Sequence, residues 1–177
     1  MSVGKDPVTA LYEEYGDLMS SLEAAGDASA MSFVDGHFRK VLLLASASYF
    51  ERELTDAVRE FTEDVSGDDH VIVHMVVRKV IKRQYHTWFN WTGSNANQFF
   101  SMFGATFLGD SKDAVRRSDT LSKAVSAFLE IGNERNRVVH EDFVAFRMEK
   151  TSEEIYGLYG QARGFVDWFK RVLKEYR

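Results

Sequence analysis

The chain has 177 residues, a net charge of −5, 45% hydrophobic and 14% aromatic residues, and no cysteine. This composition suits one domain, or one domain with a small arm, around a sizeable core; it excludes disulfides and cysteine-held metal. The acidic balance argues against a general nucleic-acid coat protein, which needs a broad basic footprint, and leaves room for an enzyme that meets nucleic acid in one local basic cleft.

The only proline is Pro7. With so few helix breakers and with apolar residues spaced three and four apart, the chain reads as all-α, a bundle of long antiparallel helices. The first helix is expected over residues 7–25, ending near Gly26. The first thirty residues are weakly patterned, which suggests an N-terminal helical arm (1–30) ahead of a main domain (31–177). Ser32 or Asp35 caps a second helix that runs to about residue 65, with Leu43, Ala47, Phe50, Leu54, Val58, Phe61 and Val65 as its apolar stripe. Ser66-Gly67-Asp68-Asp69 makes a turn, and a third helix follows over 70–85. Residues 86–97 are aromatic but irregular. A short helix is expected over 97–107, and Gly109-Asp110-Ser111 opens a long one over 112–148, interrupted near His140. Thr151-Ser152-Glu153-Glu154 is a capping-box start for the last helix. The opening residues are not followed by an apolar signal core, and no stretch approaches a membrane span, so the expectation is a cytoplasmic protein without membrane attachment.

The chemistry concentrates in Asn133-Glu134-Arg135-Asn136-Arg137-Val138-Val139-His140. Arginine can hold a phosphate, and histidine can move a proton near neutral pH. At about 100° per residue, Leu121, Val125, Phe128, Leu129, Gly132, Val139, Phe143 and Phe146 share one helix face, with Asn136 near its middle. A buried amide there needs partners, or it costs about 1–3 kcal/mol. Gly132 weakens the helix and so suggests close approach by another element. Arg135 and His140 flank the stripe about 140° apart on a regular helix. They can reach one phosphate if the helix distorts near His140, or if a two-fold related copy supplies the opposing group.

Arg135-Asn136-x-x-x-His140 resembles the Arg-x4–6-His motif of the HEPN superfamily, in its RiboL-PSP-HEPN-like branch. Phe-Phe-Ser-Met-Phe-Gly at 99–104, the helix opening at Thr151 and the aromatic-glutamate step Ser48-Tyr49-Phe50-Glu51 agree with it, and the likeness covers about residues 33–177. The resemblance implies a HEPN-like helical bundle that dimerises through the motif face. It implies a metal-independent endoribonuclease of toxin or antiviral-defence type, with Arg135 and His140 catalytic and Asn136 supporting them. RNA brings its own nucleophile, the 2′-hydroxyl. His140 would transfer protons and Arg135 would clamp the phosphate, leaving a 2′,3′-cyclic phosphate and a 5′-hydroxyl. Glu141-Asp142 stand where many relatives carry glycine, and two carboxylates there would repel phosphate or raise the imidazole's pKa. Asp142 also replaces the tyrosine that is modified in one toxin–antitoxin branch, which argues against that mode of silencing.

Arg137 is a candidate secondary phosphate contact. Lys82 and Arg83 are candidate substrate contacts within the basic-aromatic run 78–91, a composition able to stack bases and hold phosphates. His70 and His74 share a helix face but lack a third ligand, so neither a metal nor any other cofactor is expected. The expected partners are RNA, a second copy of the chain, and a cognate antitoxin or regulatory protein. The alternative is a catalytically inactive HEPN-like module that binds a protein or nucleic acid.

Overall fold

The computed structural model describes residues 6–176, and these form helices, turns and loops without a β-strand. The helices are α1 (Pro7–Ala24), α2 (Ala28–Ser66), α3 (Val71–Val76), α4 (Asn97–Ser101), α5 (Ala105–Arg117), α6 (Asp119–His140) and α7 (Ser152–Glu175). The long helices α2, α6 and α7 make the body of the bundle, with α1 laid against α2. Phe50 meets Tyr159 and Glu53 meets Lys170, so α2 and α7 ascend together. Gly164 faces Ala124 while Lys150 pairs with Glu130, so α6 runs antiparallel to α7.

An aromatic cluster fills the centre. Phe89 packs on Phe99 and Phe128 at 4.6 and 4.9 Å between ring centroids, Phe128 meets Phe165 at 4.9 Å, and Phe99 meets Phe169 at 4.7 Å. Offset and edge-on rings at such spacings contribute beyond their buried area. The irregular stretch 86–97 is therefore part of the core: Trp88, Phe89 and Ala96 are all buried.

Helix boundaries differ from the sequence expectation where local chemistry decides them. Asp27, rather than Ser32 or Asp35, caps α2 by accepting from the Ala30 amide, directly after Gly26 ends α1 at φ +70°. The segment expected as one short helix over 97–107 breaks at Gly104, whose φ of +97° suits glycine, and α5 begins there instead of at residue 112. The expected long helix is divided at Ser118, which is extended and caps α6 through the Leu121 amide. It ends at His140, where an interruption was expected, and does not resume toward residue 148. The capping box at Thr151 forms as read, with Glu154 and Thr151 each bonding the other's backbone amide.

Asp6 ties α1 to α7. Its carboxylate accepts from the Val8 and Thr9 amides, from the Tyr159 hydroxyl at 2.6 Å and from Arg163 at 3.0 Å. Burial alone would raise its pKa, but the bonds from Tyr159 and Thr9 and the charge of Arg163 outweigh it and hold the carboxyl below its ordinary value. A depressed folded-state pKa stabilises the fold above the unfolded value and is lost as pH falls through the folded one. Asp6→Ala is expected to cost about 1–2 kcal/mol at pH 7, from the lost cap and the orphaned tyrosine. Urea unfolding should show the gap to wild type narrowing below about pH 4.

Candidate active site

A narrow cleft opens where α2, α6 and the turn after α3 meet. It is lined by Ala47, Phe50 and Glu51 from α2, by Phe128, Ile131, Gly132, Arg135 and Asn136 from α6, and by Tyr85, His86 and Trp91. Arg135 and Asn136 thus reach the cleft together. Asn136 is half-buried, and its side-chain oxygen accepts from Arg135 Nη1 at 3.0 Å. The amide expected to need a partner finds it in the neighbouring guanidinium. No ion pair joins Arg135 to a carboxylate among the described residues. Its charge is therefore met by a neutral oxygen, and the remaining donors are available to an anion.

The third wall is built from unusual backbone. After Val76 the α-helix widens into a π turn over Val77–Ile81, so the expected single helix over 70–85 is not formed. Lys82 is extended, Arg83 is left-handed at φ +61°, and Tyr85–Thr87 forms a 3-10 turn. The left-handed Arg83 costs free energy unless its surroundings hold it, and such residues and π turns gather at functional sites. Here indoles and an amide hold them: Trp88 Nε1 donates to Val80 O at 2.9 Å, Gln98 to Thr87 O at 2.6 Å, and Trp91 Nε1 to His86 O at 2.9 Å. The Trp91 indole also lies against Gly132, where a Cβ would overlap its six-membered ring. The close approach read from Gly132 is this contact.

Tyr85 is held neutral. Burial pushes its pKa well above the ordinary value, Glu51 raises it further and Arg135 opposes them. Its phenol can donate a hydrogen bond in the cleft but cannot act as a base.

His140 lies apart. It is exposed at the C-terminal end of α6 and does not line the cleft. The helix stays α-helical through this residue, so distortion does not bring it to Arg135. Five residues on a regular helix separate the two by about 7.5 Å along the axis and about 140° around it. The apolar stripe leaves the bundle here: in the last turn Val138 is buried, while Val139 is 51% exposed and Phe143 44%, and Phe146 is covered again. The chain beyond α6 is fastened by Lys40, whose Nζ donates to Phe143 O at 2.5 Å and lies over the Phe143 ring.

Of the outlying candidates, Arg137 is engaged by Glu134 at 2.9 Å and Glu141 at 3.8 Å, and its guanidinium lies over Phe146. Lys82 and Arg83 are exposed on the turn that leads to Tyr85 and His86. Asp142 turns its carboxylate to its own loop, accepting from the Val144 and Ala145 amides. His70 caps α3 through the Ile72 amide, and His74 pairs with Asp69. Among the described residues no group of acidic or histidine side chains could hold a metal ion. None of their helices is long and apolar enough to cross a membrane. Sequence reasoning missed Tyr85, His86 and Trp91 as cleft residues. Their only signal was the basic-aromatic composition of 78–91.

No curated protein and no solved structure matches the chain at a significant level. The model of the RiboL-PSP-HEPN family matches residues 12–175. With that match over nearly its whole length, on an all-α bundle, the chain belongs to the RiboL-PSP-HEPN family of HEPN domains.

Proposed function

We propose that the protein is a metal-independent endoribonuclease of toxin or antiviral-defence type that works as a homodimer. The observation that carries this reading is the state of Arg135: a guanidinium in a cleft, bound to a neutral amide and, among the described residues, in no ion pair with a carboxylate. A phosphodiester supplies the anion that such a group lacks. Exposed apolar side chains beside His140, Val139 and Phe143 among them, favour an isologous contact through this end of α6. That contact would bring the partner's imidazole toward Arg135, which its own His140 is turned away from.

In this mechanism Arg135 binds the non-bridging phosphate oxygens and meets the charge that grows on the phosphorane. Asn136 fixes the guanidinium. His140 transfers a proton as the 2′-oxygen attacks phosphorus and the bond to the 5′-oxygen breaks. Lys82 and Arg83 guide the backbone of single-stranded RNA toward the cleft, and Arg137 contacts phosphate only by giving up part of its hold on Glu134. A cognate antitoxin or regulatory protein restrains the enzyme, since unrestrained cutting harms the host. The lack of cysteine suits a cytoplasmic setting.

The carboxylates around Arg137 favour a second reading, in which the domain is silent and binds a protein or RNA without cutting it. One experiment separates the two. Purified protein incubated with mixed RNA in excess chelator is expected to yield fragments ending in 2′,3′-cyclic phosphate and 5′-hydroxyl. Intact RNA after prolonged incubation with dimeric protein would leave only the silent module.

A further inference from the structure

We propose that His86 is a second proton-transfer residue of this cleft, working opposite His140; the proposal rests on the ribonuclease reading above. Transphosphorylation needs two proton movements. One group removes the 2′-hydroxyl proton while the bond from O2′ to phosphorus forms. Another gives a proton to O5′ while the phosphorus–O5′ bond breaks. The protons balance if one imidazole is neutral and the other protonated at the start.

Within one protomer the imidazole-bearing residue that shares the cleft with Arg135 is His86, not His140. Its position is a built one. The π turn, the left-handed Arg83 and the 3-10 turn all precede or contain it, and its carbonyl is fixed by the Trp91 indole. That indole in turn sits against Gly132, one turn before Asn136. A stretch whose only task was to link helices would not need the left-handed Arg83 or indoles fastened to its carbonyls.

The ionisable groups that share the cleft with His86 are Glu51 from α2, Tyr85 from its own turn and Arg135 from α6. Arg135 stays charged and serves as the clamp. Tyr85 is kept neutral by burial and cannot take a proton from the nucleophile. Glu51 is the competing base, and its amide variant tests that role directly.

The test uses full-length protein and a short single-stranded RNA in chelator, comparing wild type with His86→Ala, His86→Gln and Glu51→Gln. Both His86 variants are expected to keep wild-type dimerisation and thermal unfolding, since the side chain is exposed, and to lose about 10²–10⁴-fold in kcat. They should lose one limb of the pH–rate profile, and added imidazole should restore part of the rate of His86→Ala. Glu51→Gln should keep both limbs. Wild-type rates in His86→Ala, alongside a dead Arg135→Ala, would overturn the proposal and leave the ribonuclease reading standing. So would a slow variant whose pH profile is unchanged and which imidazole does not rescue, because that is a positioning role. RNA left intact by wild-type protein overturns both.

Discussion

Arg135→Ala is expected to lower RNA cleavage about 10²–10³-fold, the range for removing one preorganised donor from a developing oxyanion. His140→Ala should lower it about 10²–10⁴-fold, as for the loss of a proton-transfer group. His140→Ala should lower stability little, because His140 is exposed, whereas Arg135→Ala takes the hydrogen-bond partner from the half-buried Asn136 amide and is expected to cost about 1 kcal/mol. Arg135→Lys should recover little, since a point charge does not reproduce the planar fork on phosphate. The decisive form of the experiment mixes the two inactive variants. In a mixed dimer, the Arg135→Ala protomer still carries His140 and the His140→Ala protomer still carries Arg135. If the two groups act across the interface, one complete pair survives, and the mixture cuts RNA well above either parent alone. If they act within one chain, no complete pair exists and the mixture stays inactive. The regular α6 and the angular separation of the two side chains lead to the first outcome. Gel assays of RNA cleavage before and after subunit exchange read it directly.

The sequence revealed the scaffold better than the site. Fold class, the long second helix, the capping box at Thr151 and the close approach at Gly132 all follow from local rules that act within a turn or two: spacing, capping and the missing Cβ. The errors lie where one residue redirects the chain without disturbing the apolar pattern. Ser118 ends α5 and caps α6 within a run that reads as continuous helix. Beyond His140 the spacing persists to Phe146, but the chain has left the helix, so Phe143 does not continue the α6 face; Val139, still on α6, is exposed because its face runs past the end of the bundle. Arg135 and Asn136 were legible because they sit on one helix. Tyr85, His86 and Trp91 were not, because they enter the cleft through a π turn and a left-handed residue, and neither feature has a periodic signature. What joins these residues to α6 is packing between segments distant in sequence, which periodicity cannot report.

That packing makes the second large prediction. Glycine to alanine inside a helix ordinarily stabilises by about 1 kcal/mol. At Gly132 the sign is expected to reverse. The new Cβ would overlap the Trp91 ring, and the indole cannot simply retreat, because its Nε1 is bonded to His86 O and its ring packs against Phe89 at 4.9 Å. Overpacking of this kind costs about 1–3 kcal/mol. It should also disturb the turn bearing His86, so Gly132→Ala is expected to lose activity as well as stability. Trp91→Ala removes the obstacle. In that background Gly132→Ala should stabilise the fold, as helix propensity alone dictates. Urea unfolding of the wild type, both single variants and the double variant gives the coupling between the two positions, expected at about 1–3 kcal/mol, within the range for residues in direct contact. A coupling near zero would mean that the indole does not rest on α6 in solution, and the cleft that gathers Arg135, Asn136 and His86 would lose its third wall. The stability cycle therefore tests the architecture of the site without any substrate, independently of the proposed function.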